Sequence, residues 1–101
     1  MDEPVTITEV KIRLADKPEG GLIGWASCVL NGTFLLDRIA IYRNENGKIT
    51  IFFPSAKSRR GNRYPYFRPL THAVYEETRK AIVSRLILLG KEARGDGARR
   101  D

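Results

Sequence analysis

The dipeptide Asn31-Gly32 is the feature that most constrains the fold of this chain. It separates an apolar run over residues 22–30 from a mixed run over residues 33–42. Asn and Gly both tolerate positive φ, which the type I′ turn of a β-hairpin requires at its two central positions. The sequence therefore predicts two antiparallel strands joined at Asn31-Gly32.

Two further strands are predicted, one from alternating apolar and polar residues and one from a short run rich in Ile and Phe. Residues 5–14 alternate, and the apolar set that would face a core is Val10, Ile12 and Leu14. In the strand after the Asn-Gly turn, the apolar residues of one parity are Leu35, Ile39 and Ile41, with Asp37 interrupting them. Residues 48–53 form a fourth candidate strand, and Pro54 ends it because proline cannot donate a hydrogen bond to a ladder.

A helix is predicted after Thr71, whose hydroxyl suits an N-cap. Leu70 and Tyr75 have the spacing of a hydrophobic staple around that cap. The residues at helical spacing that would face the core are Val74, Thr78, Ala81, Ile82, Leu86 and Leu89. Gly90 is the expected stop.

These elements predict an α+β fold, a small antiparallel β-sheet of four to five strands with one C-terminal α-helix. Residues 64–70 are the candidate fifth, edge strand. At 101 residues the chain is one domain, expected over residues 1–90, with a flexible polar tail over residues 91–101. Val83, Ile87 and Leu88 widen the apolar stripe of the helix beyond what a small sheet covers, which favours a homodimer.

Composition excludes several classes of protein. No apolar run approaches the ~20 residues that span a membrane, and the acidic start at residues 1–4 is not a secretory signal. A single cysteine, Cys28, indicates the cytoplasm rather than an oxidising compartment. The one histidine, His72, lacks the partners that general-base chemistry or a metal site needs. We therefore expect no enzyme activity, no metal, no cofactor and no small-molecule substrate.

Positive charge is concentrated in one stretch. Residues 46–75 hold six of the 18 Lys and Arg and no Asp or Glu, whereas the rest of the chain has 12 basic and 12 acidic residues. The whole formal charge of +6 therefore belongs to this stretch. A solvated loop that only aids solubility would intersperse both signs. The segregation predicts a polyanionic partner, with nucleic acid first.

Aromatic residues interleave with these cations, which suits stacking on unpaired bases as well as contact with phosphates. Phe67 is the exception, since we expect it to pack the loop onto the sheet. Arg79 and Lys80 on the helix are predicted to face away from the core and extend the basic surface, with a solvated surface partly paired to Glu76 as the alternative. The candidate nucleic-acid-binding residues are Lys57, Arg59, Arg60, Arg63, Tyr64, Tyr66, Arg68, Arg79 and Lys80.

Several motifs in this order resemble the SpoVG family of bacterial septation and sporulation regulators. They lie at residues 7–13, 30–42, 46–47, 53–57 and 67–72, with Arg79 after them. The resemblance implies a small antiparallel sheet with a C-terminal helix, a homodimer, no catalysis, and a regulator that binds DNA and also RNA. It carries binding roles to Lys57, Arg59 and Arg68.

One rival function comes from another class. The basic loop would also suit a protein-interaction module that docks an acidic protein partner at a division or signalling complex. Both functions predict salt-sensitive binding, so only a test with nucleic acid separates them.

Overall fold

The computed structural model describes residues 5–17 and 19–99, with side chains to residue 90. Its elements are β1 (Ile7–Leu14), β2 (Leu22–Leu30), β3 (Phe34–Arg43), β4 (Ile49–Phe52), β5 (Ser55–Lys57), β6 (Arg63–Pro65) and α1 (His72–Arg99). Strands β1 to β4 form one antiparallel sheet in chain order, and β5 pairs with β6 in a second, two-stranded sheet. The predicted α+β fold with one C-terminal helix is confirmed.

The Asn31-Gly32 turn has the predicted geometry. Asn31 has φ of 50° and Gly32 has φ of 66°, and the Thr33 N–H donates to the Leu30 carbonyl at 2.9 Å. The Asn31 side chain also accepts from the Thr6 N–H at 2.8 Å. The turn therefore joins β2 to β3 and also ties the start of β1 to this corner of the sheet.

Bulges in β1 and β3 change which residues face the core. Glu9 has φ of 51° where the β1–β2 register shifts, and Arg38 has φ of 57° where the β2–β3 register shifts. Successive side chains in a strand point to opposite faces of the sheet, so one extra residue exchanges the two faces for all residues on one side of it. As a result Leu36, not Leu35, packs on the core before the Arg38 bulge, and Leu35 is 68% exposed.

The core lies between one face of the four-stranded sheet and α1. The buried residues of the described chain are Gly24, Ala26, Cys28, Ile39, Ile41, Ile51, Thr78 and Ile82. Thr78 is the polar member, and its hydroxyl donates to the Val74 carbonyl one turn earlier at 2.9 Å, so its burial leaves no orphan group. Of the β1 residues predicted to face the core, Val10 and Ile12 do so, but Leu14 is 57% exposed.

Helix α1 begins as predicted and ends later than predicted. The Thr71 hydroxyl accepts from the Val74 N–H at 3.3 Å, which confirms the N-cap. The predicted hydrophobic staple between Leu70 and Tyr75 is wrong, because Leu70 is 88% exposed. The helix continues through Gly90 to Arg99, since a glycine inside a helix costs only about 1 kcal/mol. The predicted flexibility of residues 91–101 stays a prediction, and residues 100–101 lie outside the described part of the chain.

Two side chains of α1 cover the free edge of β4, the outermost strand of the sheet. The Tyr75 hydroxyl accepts from the Ile51 N–H and donates to the Ile51 carbonyl, each at 3.3 Å. The Arg79 Nε donates to the Ile49 carbonyl at 2.7 Å. Unpaired strand edges invite pairing with other chains. These contacts therefore protect one edge of the sheet.

In the described residues no helix is long and apolar enough to cross a membrane.

Candidate functional site

The basic stretch folds into a hairpin, and the predicted edge strand over residues 64–70 is present only as β6, which pairs with β5 and not with the main sheet. Strands β5 and β6 pair antiparallel, with Ala56 opposite Tyr64 and Lys57 opposite Arg63. The Tyr66 N–H extends this ladder by donating to the Pro54 carbonyl at 2.9 Å. We call residues 55–65 the basic hairpin. Its position directly after β4 places it beside the outer strand of the main sheet.

A hydrogen-bonded turn forms the tip of the basic hairpin. The Gly61 N–H donates to the Ser58 carbonyl at 3.0 Å, and the Ser58 N–H donates to the Asn62 carbonyl at 2.7 Å. The Ser58 hydroxyl also accepts from the Asn62 N–H at 3.2 Å. Gly61 has φ of 89°, which favours glycine. The two central residues of this turn are Arg59 and Arg60, so both project from an ordered tip, and both are exposed.

Like charges stand directly opposite each other on the basic hairpin. Lys57 and Arg63 are cross-strand partners and both are exposed. The Arg63 Nη1 donates to the Ser55 hydroxyl at 3.2 Å. Among residues whose side chains are described, none of the hairpin cations is paired with a carboxylate. The positive field of the hairpin is therefore not neutralised within the described fold.

Arg68 does not lie on the same surface as the hairpin cations. It lines an apolar recess with Phe34, Phe67 and Val74, on the side of the sheet that α1 covers. Arg63 instead lines a groove on the opposite side. The sequence predicts one landing site with five cations, but the fold brings together only Lys57, Arg59, Arg60 and Arg63.

The aromatic residues of the basic stretch divide into two kinds. Tyr64 and Tyr66 are 56% and 65% exposed. Tyr64 lies opposite Ala56, on the hairpin face away from Lys57. Phe67 is half-buried and packs edge-on against Phe53 with ring centroids 5.6 Å apart, as predicted.

The two helix cations behave differently from each other. Arg79 does not face away from the core: its side chain is 20% exposed, contacts β4 through Nε, and lies 3.8 Å from the Glu76 carboxylate. The pairing with Glu76 that the sequence offered as the alternative is present, but Arg79 is not on a solvated surface. Lys80 is exposed, as predicted.

The face of the main sheet opposite α1 carries aromatic residues that the sequence reasoning missed. A groove of about 790 Å³ crosses this open face, and among the described residues its lining contains three arginines and no acidic residue. Its aromatic and basic lining residues are Trp25, Arg38, Tyr42, Arg43, Phe52 and Arg63. Arg63 belongs to the basic hairpin, so the groove and the hairpin share a border.

A signal for this face is present in the sequence but depends on strand register. Tyr42 and Phe52 alternate with the core residues Ile41 and Ile51, which is the period of two that places neighbours on opposite faces. Their rings meet edge-on, 5.4 Å apart at 88°. The period predicts that Tyr42 and Phe52 lie outside the core, but not that Trp25 lies on the same face as they do.

The lone cysteine and the lone histidine of the chain lie apart from both surfaces and from each other's elements. Burial raises the pKa of the Cys28 thiol, which lies in the core and is held in its neutral form. His72 is exposed, and its ring stacks on the Tyr75 ring with centroids 6.3 Å apart. Within the described residues there is no group of three or more His, Cys, Asp or Glu placed to hold a metal ion.

Comparison with known proteins identifies the family. The family model described as SpoVG matches residues 5–88, which covers the sheet, the basic hairpin and most of α1. A search of the curated proteins finds no matching relative. The matched region covers more than half of the chain. The chain therefore belongs to the SpoVG family, and membership in that family suggests a regulator of septation or sporulation.

Proposed function

We propose that this protein is a dimeric nucleic-acid-binding regulator whose basic hairpin contacts phosphates of DNA and also of RNA. The observation that carries the proposal is the unneutralised charge of the hairpin. The SpoVG family is in general regulatory rather than catalytic, which agrees with a binding function.

The cross-strand pair Lys57 and Arg63 supports an anionic ligand. Like charges directly opposite each other destabilise a strand pair, and a two-stranded hairpin is at best marginally stable by itself. A phosphate between the two cations would convert repulsion into two attractive contacts. The hairpin is then more stable with its ligand than without it.

The number of cations sets the expected salt dependence. Each phosphate contact contributes about −0.9 to the slope of log K against log salt on duplex DNA. Four hairpin cations give a slope of about −3.6 per protomer, equivalent to roughly 150-fold weaker binding at 200 mM than at 50 mM salt. So few contacts imply modest affinity for one protomer, which a dimer with two hairpins would raise through avidity.

The test compares two double variants that remove equal charge. R59A/R60A removes the cations at the hairpin tip, whereas K17A/K48A removes two exposed cations from other turns. Fluorescence anisotropy with labelled oligonucleotides measures affinity at several salt concentrations. We expect R59A/R60A to lower the magnitude of the slope by about 1.8 and K17A/K48A to leave it within experimental error.

Two results would contradict the proposal. An equal decrease of the salt slope in both variants would mean that net charge, not the hairpin, drives binding. If the wild-type protein binds neither single-stranded nor duplex oligonucleotides at 50 mM salt, the basic hairpin instead serves an acidic protein partner.

A further inference from the structure

We propose that the open face of the main sheet is a platform on which bases of single-stranded nucleic acid stack. This inference rests on the proposed function, since it assigns the bases to a second surface beside the phosphate-binding hairpin. Its aromatic residues lie on β2 to β4, outside the basic hairpin.

A cross-strand row gives the open face its shape. Arg13 pairs with Trp25, Trp25 pairs with Ala40, and Ala40 pairs with Phe52, so one row crosses all four strands. The small Ala40 therefore forms a floor between two aromatic residues. Strands in a sheet lie about 4.8 Å apart, which separates the Trp25 and Phe52 backbones by about 10 Å. A base between them, at ring spacings of about 4.5–7 Å from each, fits that separation.

Burial indicates that the row is open to a ligand. Phe52 is 55% exposed, although a phenylalanine on a small sheet gains by being covered. Its ring is perpendicular to the Tyr42 ring. A flat base can therefore stack face-to-face on only one of these two rings at a time. The row therefore offers the base between Trp25 and Phe52 an uncovered ring on which to stack.

Charge complementarity favours nucleic acid over an apolar partner. Arg38, Arg43 and Arg63 line the groove around the aromatic residues, and no acidic residue in the described part of the chain lines it. The bases of a strand lying across the row would place their phosphates among these guanidinium groups. A protein surface that is apolar and uncharged would leave three arginines without partners.

Arg13 belongs to the same surface. Its guanidinium carbon lies 5.0 Å from the centre of the Trp25 ring, in a cation–π contact. Guanidinium planes also stack on bases, so a base that takes this face of Trp25 displaces Arg13 either to the outer side of the base or to a phosphate. Either arrangement keeps the charge of Arg13 on the ligand.

The geometry selects single strands. Bases inside a duplex are stacked on each other and their faces are hidden, whereas unpaired bases present their faces to aromatic side chains. The hairpin phosphate contacts do not require unpaired bases. A duplex is therefore expected to reach the hairpin and not the platform.

Trp25 provides a direct readout because it is the only tryptophan of the chain. The full-length protein is titrated with an oligo(dT) of about 12 nucleotides, within the usual size range of single-strand sites, and with a duplex of equal length. We expect the single strand to quench Trp25 fluorescence and the duplex to bind without quenching. Equal quenching by both, or quenching by neither while both bind, would overturn the platform and leave the hairpin proposal intact.

Variants at Phe52 test the stacking itself. F52L keeps an apolar side chain of similar size and removes the ring, so we expect a 5- to 150-fold loss of oligo(dT) affinity, about 1–3 kcal/mol per stacked base. F52Y keeps the ring and should retain wild-type affinity. F34L is the matched control, because Phe34 is 64% exposed on the other side of the sheet.

The same variants separate the two proposals. F52L should leave the affinity for duplex and the salt slope unchanged, whereas R59A/R60A should change both. An F52L protein that binds oligo(dT) as tightly as F34L would overturn the platform. A change in sedimentation of F52L would also overturn it, because it would show that the face is occupied by a second copy of the chain.

Discussion

At the scale of single residues, Arg79 differs most from its sequence-based expectation. The helical pattern places it beside Lys80 on the solvent side of α1. In the fold its Nε reaches the Ile49 carbonyl on the edge of β4, and its Nη1 approaches Glu76. Arg79 therefore supports the edge of the sheet. Phosphate contact by Arg79 stays a prediction.

The substitution R79A tests this structural role. It removes a charged donor from the Ile49 carbonyl, and hydrogen bonds to charged groups contribute about 1.5–3 kcal/mol. Because the side chain is 20% exposed, we expect a loss near the lower end, about 1–2 kcal/mol, in the free energy of unfolding measured with urea. K80A, one residue along and exposed, serves as the control and should change stability by less than about 0.5 kcal/mol. Equal stability of R79A and K80A would contradict the role assigned to Arg79.

At the scale of elements, the basic hairpin depends on the backbone of its tip. Gly61 has φ of 89°, and a Cβ there would meet only the Lys57 Cε, at 3.9 Å. The cost of adding a side chain is therefore conformational, about 1–2 kcal/mol for a residue forced into the left-handed region. A hairpin of two strands has little stability to offset that cost.

We expect G61A to open the hairpin locally without unfolding the protein. Hydrogen exchange at the Ser58 and Gly61 amides should lose protection by about 5- to 30-fold, and affinity for oligonucleotides should fall with it. G47A is the matched control, because Gly47 has φ of 83° and equally open surroundings in another turn. If G47A weakens oligonucleotide binding as much as G61A does, the ordered tip is not what matters for binding.

At the scale of the whole molecule, apolar surface on α1 is left without cover. Ile87 and Leu88 are 51% and 49% exposed in the second half of the helix. The protomer offers its basic hairpin and its open sheet face elsewhere, so dimerisation through α1 would leave both binding surfaces free. We propose that the homodimer forms through this face of α1.

Sedimentation tests that interface. We expect the wild-type protein to sediment as a dimer at micromolar concentration and I87S/L88S as a monomer, because the substitutions remove the apolar contact. Oligonucleotide affinity should then fall by about 10²- to 10⁴-fold as avidity is lost. L70S removes a leucine that is 88% exposed outside the helix and should remain dimeric. A monomeric wild-type protein would contradict the homodimer.

The sequence by itself determined several features that depend on neighbouring residues. The Asn31-Gly32 turn, the proline end of β4 and the Thr71 cap follow from backbone preferences that act within a few positions. The surplus of positive charge in residues 46–75 is likewise a property of the chain alone. Each of these local predictions is present in the fold.

Tertiary structure decided which residues share a surface. Bulges at Glu9 and Arg38 reversed the facing of part of β1 and β3, because one extra residue changes the parity of everything beyond it. The paths of β4 and the hairpin place Arg63 and Arg68 on opposite sides of the main sheet. Register across three strand pairs assembled Arg13, Trp25, Ala40 and Phe52 into one row, which no spacing along the chain specifies.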